Sequence, residues 1–261
     1  MASARRPRPE PSVAERAEAA VHAPDADADA DVMGISHQHR DVSGGWLRPA
    51  VFGAMDGLVT NVSLIAGVGG ARVSPHTIIL TGLAGLSAGA FSMAAGEYVS
   101  VSSQNELVAS EVEKERVELE TNPEVEQAEL AAMYVMRGVD EHLANEVARQ
   151  LSRHPEEVLG IHVREELGVD YRELPSPYTA AGASLVTFGV GALIPLLPYL
   201  LGFVSLAAAV ILAAVAAFAG GGIVAKVTAR PFLRGAVRQL VLAAVAAGLT
   251  YLIGTAFGGK I

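Results

Sequence analysis

The chain has 261 residues, 51% of them hydrophobic and 18% charged, with a formal net charge of -9. Residues 104–174 hold 18 acidic and 7 basic side chains and no Asp or Glu follows Glu173, so the acidity is local, and the long uncharged tracts exclude a wholly soluble enzyme. The absence of cysteine excludes disulfides, thiolate nucleophiles, iron-sulfur clusters and Cys-type zinc sites, and no Lys/Arg patch offsets the acidic segment as nucleic acid binding would need.

Residues 1–45 are rich in Ala, Pro, Asp and Arg without helical or strand periodicity, which predicts a disordered N-terminal tail. The tail lacks the apolar core and cleavage pattern of a secretory signal, so no removal is expected. Its His22, His37 and His39 offer weak metal ligands, although flexible tails carry such residues incidentally. Residues 46–103 hold two membrane spans. The first, about 49–70, contains one ionisable residue, Asp56; the second, about 73–100, meets no charge until Glu97. Each is long enough to cross roughly 30 Å of hydrocarbon. Pro49 and Pro75 stand near the starts, where a missing backbone donor is tolerated, and Gly53-x-x-x-Gly57 and Gly85-x-x-x-Gly89 permit close helix contact.

Residues 104–174 read as an insert of amphipathic helices. Glu106, Glu111, Glu115 and Glu118 fit one helical stripe, so span two is expected to continue as a helix beyond the membrane. Asn122 and Pro123 read as N-cap and first residue of a second helix carrying Glu126, Glu129, Met133 and Met136. Two further helices are expected over about 140–152 and 155–167. Glu115 with Glu118, and Glu126 with Glu129, are three residues apart and face one side of their helices. Gathering both pairs with Glu166 is costly without a cation. Glutamate oxygens suit iron(II), manganese(II) or calcium, and His162, four residues before Glu166, adds a nitrogen that favours a transition metal. A solvated acidic surface fits the same spacing. His142 and His154 read as surface residues, and Met133 and Met136 as core.

Residues 175–261 carry three more spans. The uncharged run 174–225 suits helices over about 178–199 and 203–225, turning near Pro195, Pro198 and Gly202, and a last span covers about 237–258. The fold class is therefore an all-α membrane protein, with five transmembrane helices and a helical cytoplasmic metal-binding insert between spans two and three. Lys226, Arg230, Arg234 and Arg238, with Arg40 and Arg48, place the N-terminus and the insert in the cytoplasm and the C-terminus outside a cell membrane.

An aspartate inside a span is expensive unless it lines a polar route or meets a partner, which makes Asp56 the strongest single functional candidate. Met93 on span two offers a thioether, and the two together could hold a partly dehydrated transition-metal ion. No Ser-His-Asp relay, phosphate-binding glycine loop or haem motif is present, so a covalent enzyme is not expected.

Gly53-Ala-Met-Asp-Gly-Leu-Val-Thr in span one, Ser92-Met-Ala-Ala-Gly-Glu-Tyr-Val-Ser in span two, the Glu-rich insert and Glu165-Glu-Leu-Gly before span three resemble the vacuolar iron transporter family over about residues 45–260. The resemblance implies a homodimer with a pathway at or near the dimer interface and a cytoplasmic metal-binding domain. It implies that Asp56 and Met93 match a transmembrane metal site, and that Glu115, Glu118, Glu126, Glu129 and Glu166 match carboxylates of a cytoplasmic one. It further implies exchange of cytoplasmic iron(II), or a related ion such as manganese(II), for protons, with no prosthetic group. The chain departs from some relatives at His162-Val163, where they carry adjacent methionines. A membrane-bound ferroxidase and a non-transporting metal sensor are the competing readings; the first usually needs Glu-x-x-His motifs, which the insert lacks.

Overall fold

The computed structural model describes residues 45–258; the expected tail, with its three histidines, lies outside them. Among the described residues eight helices follow in order: α1 (Leu47–Gly70), α2 (Pro75–Thr121), α3 (Pro123–Met136), α4 (Glu141–Leu151), α5 (Pro155–Leu167), α6 (Pro177–Leu200), α7 (Leu206–Val227) and α8 (Phe232–Phe257). Of these, α1, α2, α6, α7 and α8 are long and apolar enough to cross a membrane. The chain is thus a multi-pass, all-α membrane protein. The far half of α2, with α3, α4 and α5, forms a helical insert outside the bundle.

The helix starts follow from local chemistry. Ser74, Ser176 and Ser205 cap α2, α6 and α7, each hydroxyl accepting a backbone N–H three residues on, and proline follows at the first position of α2 and α6. Asp140 caps α4 by accepting from the N–H groups of His142 and Leu143. Asn122 occupies the N-cap position of α3, but its side chain makes no capping bond. Gly168, at φ 68°, ends α5 in the left-handed conformation that glycine adopts without penalty.

Two expectations change. Pro195 and Pro198 do not turn the chain; both lie inside α6, which continues to Leu200, and the reversal comes at Gly202, φ 86°. Membrane helices tolerate internal proline because neighbouring helices and small local adjustments compensate for the lost hydrogen bonds, and both prolines are buried here. The last span begins at Phe232, so Arg234 and Arg238 belong to the helix instead of preceding it.

Within the bundle, α6 packs against α1 and α2, and α8 against α7 and α1. Leu58, Val62 and Ala66 of α1 meet Ala213 and Ala217 of α7 and Ala243 and Ala247 of α8, while Ala90 of α2 packs on Phe188 and Ala192 of α6. Large apolar side chains such as Leu80, Phe91, Val186, Val190, Ile211 and Leu252 point outward, as helices facing lipid require. Both glycine motifs sit at helix contacts: Gly53 and Gly57 touch the α6 backbone near Ser184 and Phe188, and Gly85 and Gly89 face Leu64 and the Phe188 ring. A side chain at Gly57 would collide with the Phe188 carbonyl, whereas Gly189 has nothing within 4 Å. Gly57→Leu is therefore expected to cost at least about 1–3 kcal/mol and Gly189→Leu almost nothing. Size-exclusion chromatography after graded heating checks this, and equal survival of the two variants would refute the packing assignment.

Candidate metal centre

The insert packs its own small core. Leu130 and Ala131 of α3 meet Ala148 of α4, with Met133, Tyr134, Leu151 and Ile161 around them. Met133 thus joins the core as expected, while Met136 at the end of α3 is 80% exposed. His142 and His154 are exposed. This core holds α3 and α5 against the distal part of α2, whose inward face carries Val112 and Glu115.

At that junction Glu115 from α2, Glu126 from α3, and His162 and Glu166 from α5 each offer a ligand atom, all within 4.8 Å of one another. His162 Nδ1 lies 2.9 Å from Glu115 Oε1, 3.5 Å from Glu166 Oε1 and 3.6 Å from Glu126 Oε2. Three carboxylates from three helices therefore converge on one nitrogen of one imidazole. The ring is fully buried, and neither of its nitrogens, nor Glu115 Oε1, has an aligned hydrogen-bond partner. Orphaned polar atoms of this kind are rare in proteins because each costs about 1–3 kcal/mol. Ligand bonds of about 2.0–2.2 Å to a first-row metal put opposite ligands a little over 4 Å apart, so a small contraction would seat an ion among the four residues.

Glu118 and Glu129 are exposed and stand outside the group of four. Glu118 lines a cavity of about 150 Å³ that also touches Glu111, Glu115 and Glu166. Both outer carboxylates act on the centre through charge, since Glu129 and Glu118 help raise the pKa of Glu126 and Glu166. Glu165 has a different task from its neighbour: its carboxylate accepts hydrogen bonds from Tyr134 of α3 and from Arg137 just after that helix. That contact ties α5 to the C-terminal end of α3. Sequence reasoning did not assign it, because the partners are about thirty positions apart and nothing local pairs them.

Burial raises the Glu115 carboxyl to about 8, with Glu166, Glu126 and Glu118 pushing in the same direction. Burial also raises Glu126 and Glu166, and lowers His162 against the opposing pull of Glu126 and Glu129. The metal-free centre therefore favours neutral imidazole and protonated carboxyl groups. An acid whose folded pKa lies above its unfolded value contributes stability below the unfolded pKa and loses it as pH rises through the folded one. Melting curves of the metal-free protein should thus show the insert losing stability as pH rises from about 5 to about 8. Manganese(II), which needs deprotonated ligands, should reverse the loss and bind more tightly toward pH 8. A flat profile with and without the ion would contradict this account of the centre.

In the membrane, Asp56 is partly buried on α1 and accepts a hydrogen bond of 3.2 Å from Thr60 Oγ1. Met93 packs on α2 beside Ala90, Phe188 and Ala192. Among the described residues Asp56 belongs to no group of three or more His, Asp or Glu side chains. Just over one turn beyond it, fully buried Asn61 donates to the Ala192 carbonyl at 2.5 Å and leaves its Oδ1 without a partner, a polar feature that the sequence does not single out.

A profile of the VIT family matches residues 47–255. The vacuolar iron transporter of Acanthamoeba castellanii is 41% identical over 199 residues, 72% of each chain. Vacuolar iron transporter 1 of Arabidopsis thaliana is 30% identical over 218 residues, covering 81% of this chain and 86% of the relative, and that of Oryza sativa subsp. japonica is 32% identical over 229 residues, covering 83% and 88%. The relatives are named as transporters, not as enzymes, and the matched region begins with α1 and ends within α8; the chain belongs to the VIT family.

Proposed function

We propose that this protein carries iron(II), and manganese(II), out of the cytoplasm in exchange for protons. The observation that carries the proposal is the group Glu115, Glu126, His162 and Glu166, whose buried nitrogens and carboxylate oxygen lack partners that a divalent cation would supply. Residues 104–174 then act as the capture domain, with Glu118 and Glu129 drawing cations to its rim. Asp56 and Met93 form the membrane step, and a homodimer is the working assembly. The names of the relatives support iron as cargo, and the mixed oxygen and nitrogen ligand set suits iron(II) and manganese(II) better than calcium. Protonated carboxyls that must ionise to hold metal supply a chemical reason for proton exchange.

Five spans put the N-terminal end of α1, the insert and the α7–α8 connection on one side. Near the span ends that side carries Arg48, Lys226, Arg230, Arg234 and Arg238, and the other Arg72 and Lys260, which supports a cytoplasmic insert and an external C-terminus in the cell membrane. Purified protein in liposomes under an imposed proton gradient tests the reading, with iron(II), manganese(II), cobalt(II), zinc(II) and calcium in competition. Metal flux accompanied by an opposite pH change is expected. Metal binding without flux would leave a sensor, and oxygen consumption on adding iron(II) without flux would leave a ferroxidase.

A further inference from the structure

A cavity of about 380 Å³ opens where α7 meets α8, lined by Ala225, Thr228, Arg230, Arg234, Gly235 and Arg238. It exists because the two helices touch backbone to backbone at Gly221 and Gly235, and because Ala225 and Gly235 have too little side chain to fill it. Three arginines line this space, all of them exposed, and no ion pair holds their side chains among the described residues. The chain has no acidic residue after Glu173 to supply one nearby in sequence. Guanidinium groups lining one cavity offer convergent, planar donors that suit the oxygens of a phosphate.

Depth and neighbours identify the anion's source. The 26 residues of α8 span about 39 Å, against roughly 30 Å of hydrocarbon, so its first turns stand in the headgroup layer. Arg234 and Arg238 stand one turn apart on one side of α8, and Arg230 sits in the connection just before the helix. One position before each of the two helical arginines stand Leu233 and Val237, which with Val241 form an adjacent stripe, all three exposed. An arginine-lined cavity beside an apolar stripe, at the membrane surface, matches a molecule with a phosphate and an acyl chain.

We propose that this cavity binds the phosphate of an anionic phospholipid, with the acyl chain lying along Leu233, Val237 and Val241. The site is separate from the metal centre and does not depend on transport. Its test uses the full chain in phosphatidylcholine vesicles containing a minor fraction of phosphatidylglycerol, extracted in mild detergent, with retained lipid counted by native mass spectrometry. Selective retention of phosphatidylglycerol is expected, reduced about tenfold in the combined variant Arg230→Gln, Arg234→Gln, Arg238→Gln, and not displaced by inorganic phosphate. Equal retention by variant and parent would overturn the proposal, as would displacement by inorganic phosphate, which would assign the cavity to a soluble anion. If the glutamine variant fails to insert correctly, replacing the same three residues by lysine keeps the charge that sets topology but removes the bidentate donors. Phosphatidylglycerol retention should then fall several-fold, and unchanged retention would equally overturn the assignment.

Discussion

Glu115→Gln is expected to move two measurements in opposite directions. Without metal, the insert should melt several degrees higher, because the substitution removes a carboxyl that burial and three neighbouring glutamates hold at about 8 and whose ionisation costs folding free energy on the order of a few kcal/mol. With metal, affinity for manganese(II) should fall about 100-fold, since a charged ligand facing His162 at 2.9 Å becomes neutral. Scanning fluorimetry and titration calorimetry on the full-length protein measure the two effects. A cluster that served only as an acidic surface would show neither. Lower melting without metal, combined with unchanged affinity, would remove Glu115 from the centre.

The second large effect concerns the membrane step. Asp56→Asn keeps the shape of the side chain and an oxygen able to accept from Thr60, so the bundle should still fold. Metal flux in liposomes should nevertheless drop about 100-fold or more, because the charge that compensates a cation inside the bilayer is gone. Manganese(II) binding at the insert should be preserved. Glu115→Gln gives the converse pattern, with weaker apparent affinity and substantial flux at saturating metal. Capture and crossing are thereby separated, and an Asp56→Asn protein with normal flux would exclude this residue from the pathway.

Much of the architecture is legible in the sequence because its signals are strong and local. Apolar runs mark the five spans, serine and proline mark several helix starts, and the absence of a break after Tyr98 shows that α2 leaves the membrane as one helix. The proline pair in α6 misleads, since a local rule for water-exposed helices does not hold where buried neighbours support the backbone. The centre is only half legible. Spacing of three identifies Glu115 with Glu118 and Glu126 with Glu129, yet a separation of about 300° around the axis leaves each pair some 60° apart. The junction of α2, α3 and α5 is narrow enough to admit one member of each, Glu115 and Glu126, and leaves Glu118 and Glu129 at the rim. Which member turns inward depends on how α2 and α3 are rotated about their axes, and helix packing between distant segments settles that, beyond the reach of local spacing.

The uninterrupted helix α2 has a mechanical consequence. Between Met93, beside α6, and Glu115, in the insert, lie 22 residue steps with only Gly96 near the start and no proline, a stiff lever about 33 Å long. Ligands drawn together by a few tenths of an ångström at its tip exert a torque on its base. With no hinge in the shaft, the tip's displacement reaches the bilayer as a tilt of the whole rod, on the order of one degree, applied where α2 bears on Phe188 and Ala192.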